Sequence, residues 1–426
     1  MRFINTETYE LHDIGEQIVR DNPQYAILSH RWRDQEVVFN KYKPSQVRSS
    51  HPSPTQAVER SLNKIRNACR TARNRHQPLQ WIWIDNVCID KTNAVEESTS
   101  INSMFAWYRK STMCITFLDD VDVWEEGRSR DKIFARVDTG SRLNSEWFER
   151  GWTLQELLAP RYMEFYDRNW SYVGNKEQLA DPLASATRID KPYLAGDFSS
   201  ASAATRLSWM AGRTTTKVED VAYSLLGVLG ITMTPQYGEG TQAFMRLQRT
   251  WLEESADESI FAWTTPRDGL LKCYRDHTGT PERWSAQKWG LLAPSPDCFA
   301  LPPQGTPIVI LPEKVKQRIS PGFRWTQQGM EFHAAMKGNS EFTNFFGQAR
   351  SQAKLTLNCW RNDASGQKVS VRIELVKEGD RYIRVNCGTL SEKKGGKVED
   401  NNSMGVNQIL TRPVIVAQPA YRPSFA

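Results

Sequence analysis

In the stretch Arg150-Gly-Trp-Thr-Leu-Gln-Glu-Leu-Leu158 a single carboxylate, Glu156, stands in an otherwise apolar helical turn. A carboxylate is costly to desolvate, so this placement calls for either a dedicated partner or a reaction that uses the charge. The ordinary alternative for a Glu near a helix start is a cap or a surface charge. Two further stretches carry chemistry. Tyr25-Ala-Ile-Leu-Ser29 empties into Ser29-His30-Arg31-Trp32-Arg33-Asp34, which gathers a hydroxyl, an imidazole, an indole and two guanidinium groups. Gln80-Trp-Ile-Trp-Ile-Asp85 ends on a carboxylate. In such a loop His30 can serve as acid or base, or simply as a hydrogen-bonding residue.

The elements that must position these groups follow from apolar periodicity. Tyr25–Ser29 is a continuous apolar run, as expected of a buried parallel strand, and ligand-binding loops sit at the carboxyl ends of such strands. Val58, Leu62, Ile65, Cys69 and Ala72 recur at steps of four and three and predict one apolar helix face. Lys64, Arg66, Arg70, Arg73 and Arg75 are then assigned mainly to solvent. Gln80–Asp85, ending on Asp85 and followed by Asn86-Val-Cys-Ile-Asp90, reads as a second strand. Ile101, Met104, Phe105 and Tyr108 mark another helix, and Met113–Leu118 a third strand. Tyr162–Tyr166 is a fourth, and Arg2–Ile4 an early one. Strands alternating with helices predict right-handed crossovers in a small doubly wound parallel sheet, an α/β fold. Residues 121–146, polar and aperiodic, read as an insertion.

The pattern is helical from about 175 to 256, with candidates at 176–187, 201–211, 218–229 and 241–254. Gly238-Glu239-Gly240, before the last of these, is a weak phosphate-loop signal and better suited to a plain helix entry. After Trp263, prolines interrupt short β-rich runs, including Pro307–Leu311, Met330–Ala334, Val369–Leu375 and Tyr382–Val385. These predict a mostly β domain, with a loop at 391–403. The expected organisation is 1–174, 175–265 and 266–426.

Composition narrows the function classes. With 55 basic and 49 acidic residues interspersed over 426, the net charge of +6 lacks the dense basic patch of a nucleic-acid binder. Seven cysteines, an odd number with no Cys-x-x-Cys pair and no clustered His, argue for reduced thiols and against zinc or a disulfide framework. No metal ligand set and no membrane span is expected, and the first residues lack the apolar core of a signal peptide, so a cytoplasmic protein is expected. No Gly-x-x-x-x-Gly-Lys-Ser/Thr switch motif occurs.

Three ordered blocks, Tyr25–Trp32, Trp81-Ile-Trp-Ile-Asp-Asn-Val-Cys-Ile-Asp90 and Arg150-Gly-Trp-Thr-Leu-Gln-Glu156, resemble the signature of the HET (heterokaryon incompatibility) domain of filamentous fungi. Arg213–Gly227 and Tyr237-Gly-Glu-Gly240 extend the resemblance to about residue 265. Arg33 stands where the family usually has Gly. The resemblance implies regulated cell death in non-self recognition. More distantly, Trp152-Thr-Leu-Gln-Glu156-Leu157 resembles the Trp-Cys-x-x-Glu-Leu of TIR domains, with Thr153 for Cys, and implies a TIR-like, flavodoxin-like sheet and an NAD-cleaving site centred on Glu156. Breaking the nicotinamide–ribose bond expels a neutral group from a cationic ring. One carboxylate that stabilises positive charge at the ribose carbon therefore suffices, without a general acid. Under that reading Ser29, His30 and Trp152 line the site and Trp32 stacks on a ligand ring. Arg31 or Arg33 meets the pyrophosphate, and Asp85 holds a ribose hydroxyl. NAD is then substrate, with no separate cofactor, the active form a homo-oligomer, and regulation supplied by the β-rich domain or another protein. Two alternatives stay open: a non-enzymatic self-assembling module, and a turn that packs Trp152, Leu154 and Leu157 while Glu156 pairs with a neighbour such as Arg31.

Overall fold

The computed structural model describes residues 1–14, 24–49, 55–123, 133–134, 144–255, 257–275, 278–284, 288–301 and 307–310, and then 323–326, 329–333, 337–343, 349–363, 365–378, 381–393 and 413–416. Most of the expected insertion at 121–146 and of the expected loop at 391–403 lies outside them. The chain divides into two compact units, Met1–Ser199 and Ser200–Ala426.

The first unit is built on a seven-stranded sheet of β1 (Arg2–Asn5), β2 (Leu11–Asp13), β3 (Tyr25–His30), β4 (Trp81–Trp83), β5 (Met113–Phe117), β6 (Met163–Tyr166) and β7 (Tyr172–Asn175), in the order β2-β1-β4-β3-β5-β6-β7. The four central strands β4-β3-β5-β6 run parallel, with Ala26 opposite both Ile82 and Met113. All six residues of β3 are buried, which explains its unbroken apolar run. At both edges the pairing turns antiparallel.

The helices are α1 (Pro44–Arg48), α2 (Gln56–Arg73), α3 (Asp85–Cys88), α4 (Ala94–Lys110), α5 (Trp152–Leu158), α6 (Ala180–Thr187) and α7 (Lys191–Leu194). Thr55 caps α2, and Asn93 caps α4 by accepting from the amides of Val95 and Glu96. Of the expected face, Leu62, Ile65, Cys69 and Ala72 are buried in α2, joined by Ala68, while Val58 in the first turn is half-buried. Lys64 departs from that reading. It is buried and ion-paired with Glu36, which is itself held by Ser61, so the cation that seemed to face solvent anchors the loop after β3. The second strand of the sequence, expected over Gln80–Asp85, is formed by Trp81–Trp83, and the chain turns into α3 at Asp85.

From β3 the chain passes through α2 to β4 on one side, then through α4 to β5 on the other. The crossovers thus diverge between β3 and β5, and such a switch point leaves a crevice outside the carboxyl ends of the strands.

The second unit holds α8 (Ala203–Ser208), α9 (Asp220–Tyr223), α10 (Leu226–Leu229) and α11 (Gln242–Glu254), followed by a strand-rich region. Its longest pairing joins β8 (Ala349–Asn362) to β9 (Lys368–Glu378), with Leu355 opposite Ile373 and Leu357, Cys359, Val369, Val371 and Leu375 buried. The Gly238-Glu239-Gly240 turn is closed by the protein itself: the Glu219 carboxylate accepts from the amides of Gly238 (2.8 Å) and Gly240 (3.0 Å), and Glu239 pairs with Arg246 at the start of α11. All seven cysteines are buried thiols, and among the described residues no helix is long and apolar enough to cross a membrane.

Candidate active site

Leu154, Leu157 and Leu158 draw α5 into the core, and Glu156 goes in with them, 8% exposed. Its neighbour is the end of β3. The Ser29 hydroxyl donates to Glu156 Oε2 at 2.5 Å and accepts from the Trp147 indole N–H at 2.9 Å, so Ser29 aims its only proton at the carboxylate. Trp147 lies in a 3₁₀ turn, Glu146–Glu149, and its carbonyl accepts from the Thr153 hydroxyl at 2.5 Å, which locks that turn to the start of α5. Burial pushes the Glu156 carboxyl up to about 8. Hydrogen bonds from Ser29 and Tyr108 oppose the rise, and the charge of Asp85 reinforces it.

The adjoining strand ends supply the other groups. His30 is buried at the last position of β3, and among the described residues neither of its ring nitrogens has a hydrogen-bond partner. Burial, then Lys64 and Lys91, hold it neutral by lowering its pKa well below the usual value. Its Nε2 lies 3.9 Å from Asp85 Oδ1. Asp85 opens α3 at the end of β4 and accepts from the Trp32 indole N–H at 2.9 and 3.1 Å. The Lys91 ammonium sits 3.8 Å from the Trp32 ring centroid and 3.9 Å from Asp85 Oδ2. Arg33 is bidentate to Asp119 at 2.6 and 2.7 Å and reaches Glu146 at 2.8 Å, and Arg31 also pairs with Glu146.

Residues 25–140 match the family model described as heterokaryon incompatibility protein (HET). The chain carries a HET domain. It is also 34% identical over 281 residues to vegetative incompatibility protein HET-E-1 of Podospora anserina, an alignment that covers 64% of this chain and 18% of that protein. The chain thus spans about a fifth of the length of this curated relative. No solved structure matches it.

The first unit brings Ser29, His30, Trp32, Asp85 and Glu156 to one end of its parallel sheet, the first four within the family match and Glu156 beyond its end at residue 140. Trp152 opens α5 and is half-buried. Arg31 and Arg33 reach the same region but are engaged by Glu146 and Asp119, and the partner of Glu156 is Ser29, not Arg31. Sequence reasoning missed Trp147, Tyr108 and Lys91. Tyr108 stood on the α4 face as an apolar position, and Trp147 only as one of a tryptophan cluster. Lys91 carried no signal, because a lysine in a turn acquires a role only when Trp32 and Asp85 are known to be adjacent. Among the described residues no group of three or more His, Cys, Asp or Glu could hold a metal ion.

Proposed function

We propose that this HET domain protein is an effector of regulated cell death in vegetative incompatibility, acting through TIR-like cleavage of NAD at the nicotinamide–ribose bond. The observation that carries the reading is Glu156: a carboxylate buried at the switch-point end of a parallel sheet, raised to about 8, and held by the Ser29 hydroxyl, with the Arg150 charge the weakest of the influences on it. A carboxylate in that condition gains most when a positive charge arrives beside it. In the reaction the bond between ribose C1′ and the pyridinium nitrogen breaks, the electron pair leaves with neutral nicotinamide, and the ribose carbon becomes electron-poor. Ionised Glu156 stabilises that charge, and water adds at C1′ with loss of a proton to give ADP-ribose. On this reading Asp85, which opens α3 after β4, and His30, at the end of β3, bind ribose hydroxyls, and Trp32 meets the ring.

The test is to incubate the full chain with NAD over a range of protein concentrations and follow free nicotinamide, with Glu156→Ala alongside. Release by the parent and loss of at least about a hundredfold in the variant are expected, the scale of removing one preorganised electrostatic group. No release at any concentration sinks the enzymatic reading. Toxicity retained by Glu156→Ala in cells would point instead to a self-assembling module.

A further inference from the structure

Trp32 and Asp85, two of the groups offered to NAD on the reading above, are already engaged by the chain's own Lys91. The indole N–H of Trp32 is fixed to both oxygens of Asp85, so the ring face and the carboxylate are held side by side. An aromatic face next to a carboxylate is a receptor for a cation, since the ring quadrupole and the anionic oxygens attract the same charge. Lys91 already satisfies it, its ammonium over the ring at 3.8 Å and within 3.9 Å of Asp85. Neither distance is that of a strong ion pair, and the Lys91 side chain is 43% exposed, so it can leave at small cost. Arg33, by contrast, is gripped by two carboxylates.

We infer that the Trp32–Asp85 pair is a binding platform for a cationic aromatic ring, and that Lys91 is its tethered internal competitor. The choice of a pyridinium as the external cation rests on the NAD-cleavage reading above; the platform itself rests only on the geometry. A ligand with an oxidised, positively charged ring displaces the Lys91 ammonium and takes both the ring face and the carboxylate. A neutral ring gains only the stacking. The site therefore discriminates by charge. The displaced lysine also lowers the apparent affinity of every cationic ligand, because a tethered group competes at high effective concentration.

The probe is the N-methylnicotinamide cation, titrated calorimetrically into the full chain, with neutral nicotinamide as control. Lys91→Met, which keeps the apolar stem, and Lys91→Gln are expected to bind the cation about five- to tenfold more tightly than the parent, the scale of one cation–π contact. Neutral nicotinamide, which gains only the stacking, should stay the weaker ligand in every protein. Adding Trp32→Leu to Lys91→Met should abolish the gain. The platform is refuted if both Lys91 variants bind the cation no more tightly than the parent, or if neutral nicotinamide binds them as tightly as the cation does. Nicotinamide release from NAD is followed in the same samples. Tighter cation binding without release in any protein sinks the cleavage reading and leaves the platform standing; release with unchanged cation affinity does the reverse.

Discussion

Glu156 and Glu164 are glutamates of the same domain, 8% and 4% exposed, and burial raises both, yet their carboxyl groups end on opposite sides of the usual value. Glu156, on α5, meets the carboxyl ends of the strands. Two hydroxyls bond it, and it rises to about 8. Glu164, on β6, faces the amino-terminal side. Arg75 donates to both of its oxygens at 2.7 Å, and the Tyr162 and Tyr166 hydroxyls donate as well, so it is lowered in spite of burial. A cleft of about 270 Å³ opens at that amino-terminal end, lined by Arg75, His76, Thr112 and Tyr162 among others. Its guanidinium is already committed to Glu164. At the amino-terminal end of this sheet the cleft thus has its guanidinium neutralised by Glu164, while the carboxylate of raised pKa lies at the other end. Burial alone does not leave a glutamate raised; burial without a bonded cation does.

The sharpest way to break the comparison is to make the same change at both ends. On the proposed reading Glu156→Gln abolishes nicotinamide release, by about a hundredfold or more, while Glu164→Gln leaves the rate per folded molecule unchanged. Equal losses from the two variants would show that release follows integrity of the fold and not the carboxylate at position 156.

Acidity separates the two next. Only ionised Glu156 can stabilise a developing cation, so release should climb about tenfold per pH unit from pH 6 and level off near pH 8. The stability dependence has opposite signs. Glu156, raised from 4.5, contributes stability that is full below 4.5 and is lost as the pH rises to about 8. Glu164, lowered, contributes stability that is present above its ordinary value and lost as the pH falls through its folded one. Melting temperature against pH should accordingly flatten on the alkaline side in Glu156→Gln and on the acid side in Glu164→Gln. A flat alkaline side in the parent would mean that Glu156 is not raised.

At neutral pH the stability effect of Glu164→Gln should be about 2 kcal/mol destabilising, since Arg75 is left half-satisfied but retains access to water. Glu156→Gln should be neutral or stabilising, because an amide is cheaper to bury than a carboxylate. Denaturant midpoints for the two proteins check the pair directly.

How much of this was legible in the sequence depends on how local the cause is. The central parallel strands were readable because burial on both faces forces unbroken apolar runs such as Tyr25–Leu28 and Met113–Phe117. Edge strands Leu11–Asp13 and Tyr172–Asn175 were not, being three and four residues long with mostly half-exposed side chains that leave no clear alternation. Glu156 was visible because a carboxylate in a leucine-rich turn breaks the pattern. Lys64 was misassigned for the converse reason. Helical spacing places it on the solvent side, and only the descent of Glu36 from the β3 loop turns that side inward. Arg31, Trp32 and Arg33 were equivalent as loop residues. Their division into two carboxylate-bound guanidiniums and one cation-facing indole is decided by Asp119, Glu146, Asp85 and Lys91, each brought in by a different segment.

Ser29 offers the smallest and most diagnostic change. Its hydroxyl bridges the Trp147 indole and Glu156, so Ser29→Ala leaves the buried indole N–H without its acceptor, at about 1 kcal/mol, and removes a hydrogen bond that favours the ionised carboxylate. Glu156 should then titrate above its present value of about 8, because the hydroxyl that opposes the rise is gone. The pH profile of nicotinamide release should move to the alkaline side with its plateau little altered, and Ser29→Thr, which restores the hydroxyl on a β-branched side chain suited to a strand, should move it back. A lowered plateau with no displacement of the profile would instead place Ser29 against the substrate. The bridge to Trp147 would then be only the means by which the serine is held, and Glu156 would be tuned by burial and Asp85 without it.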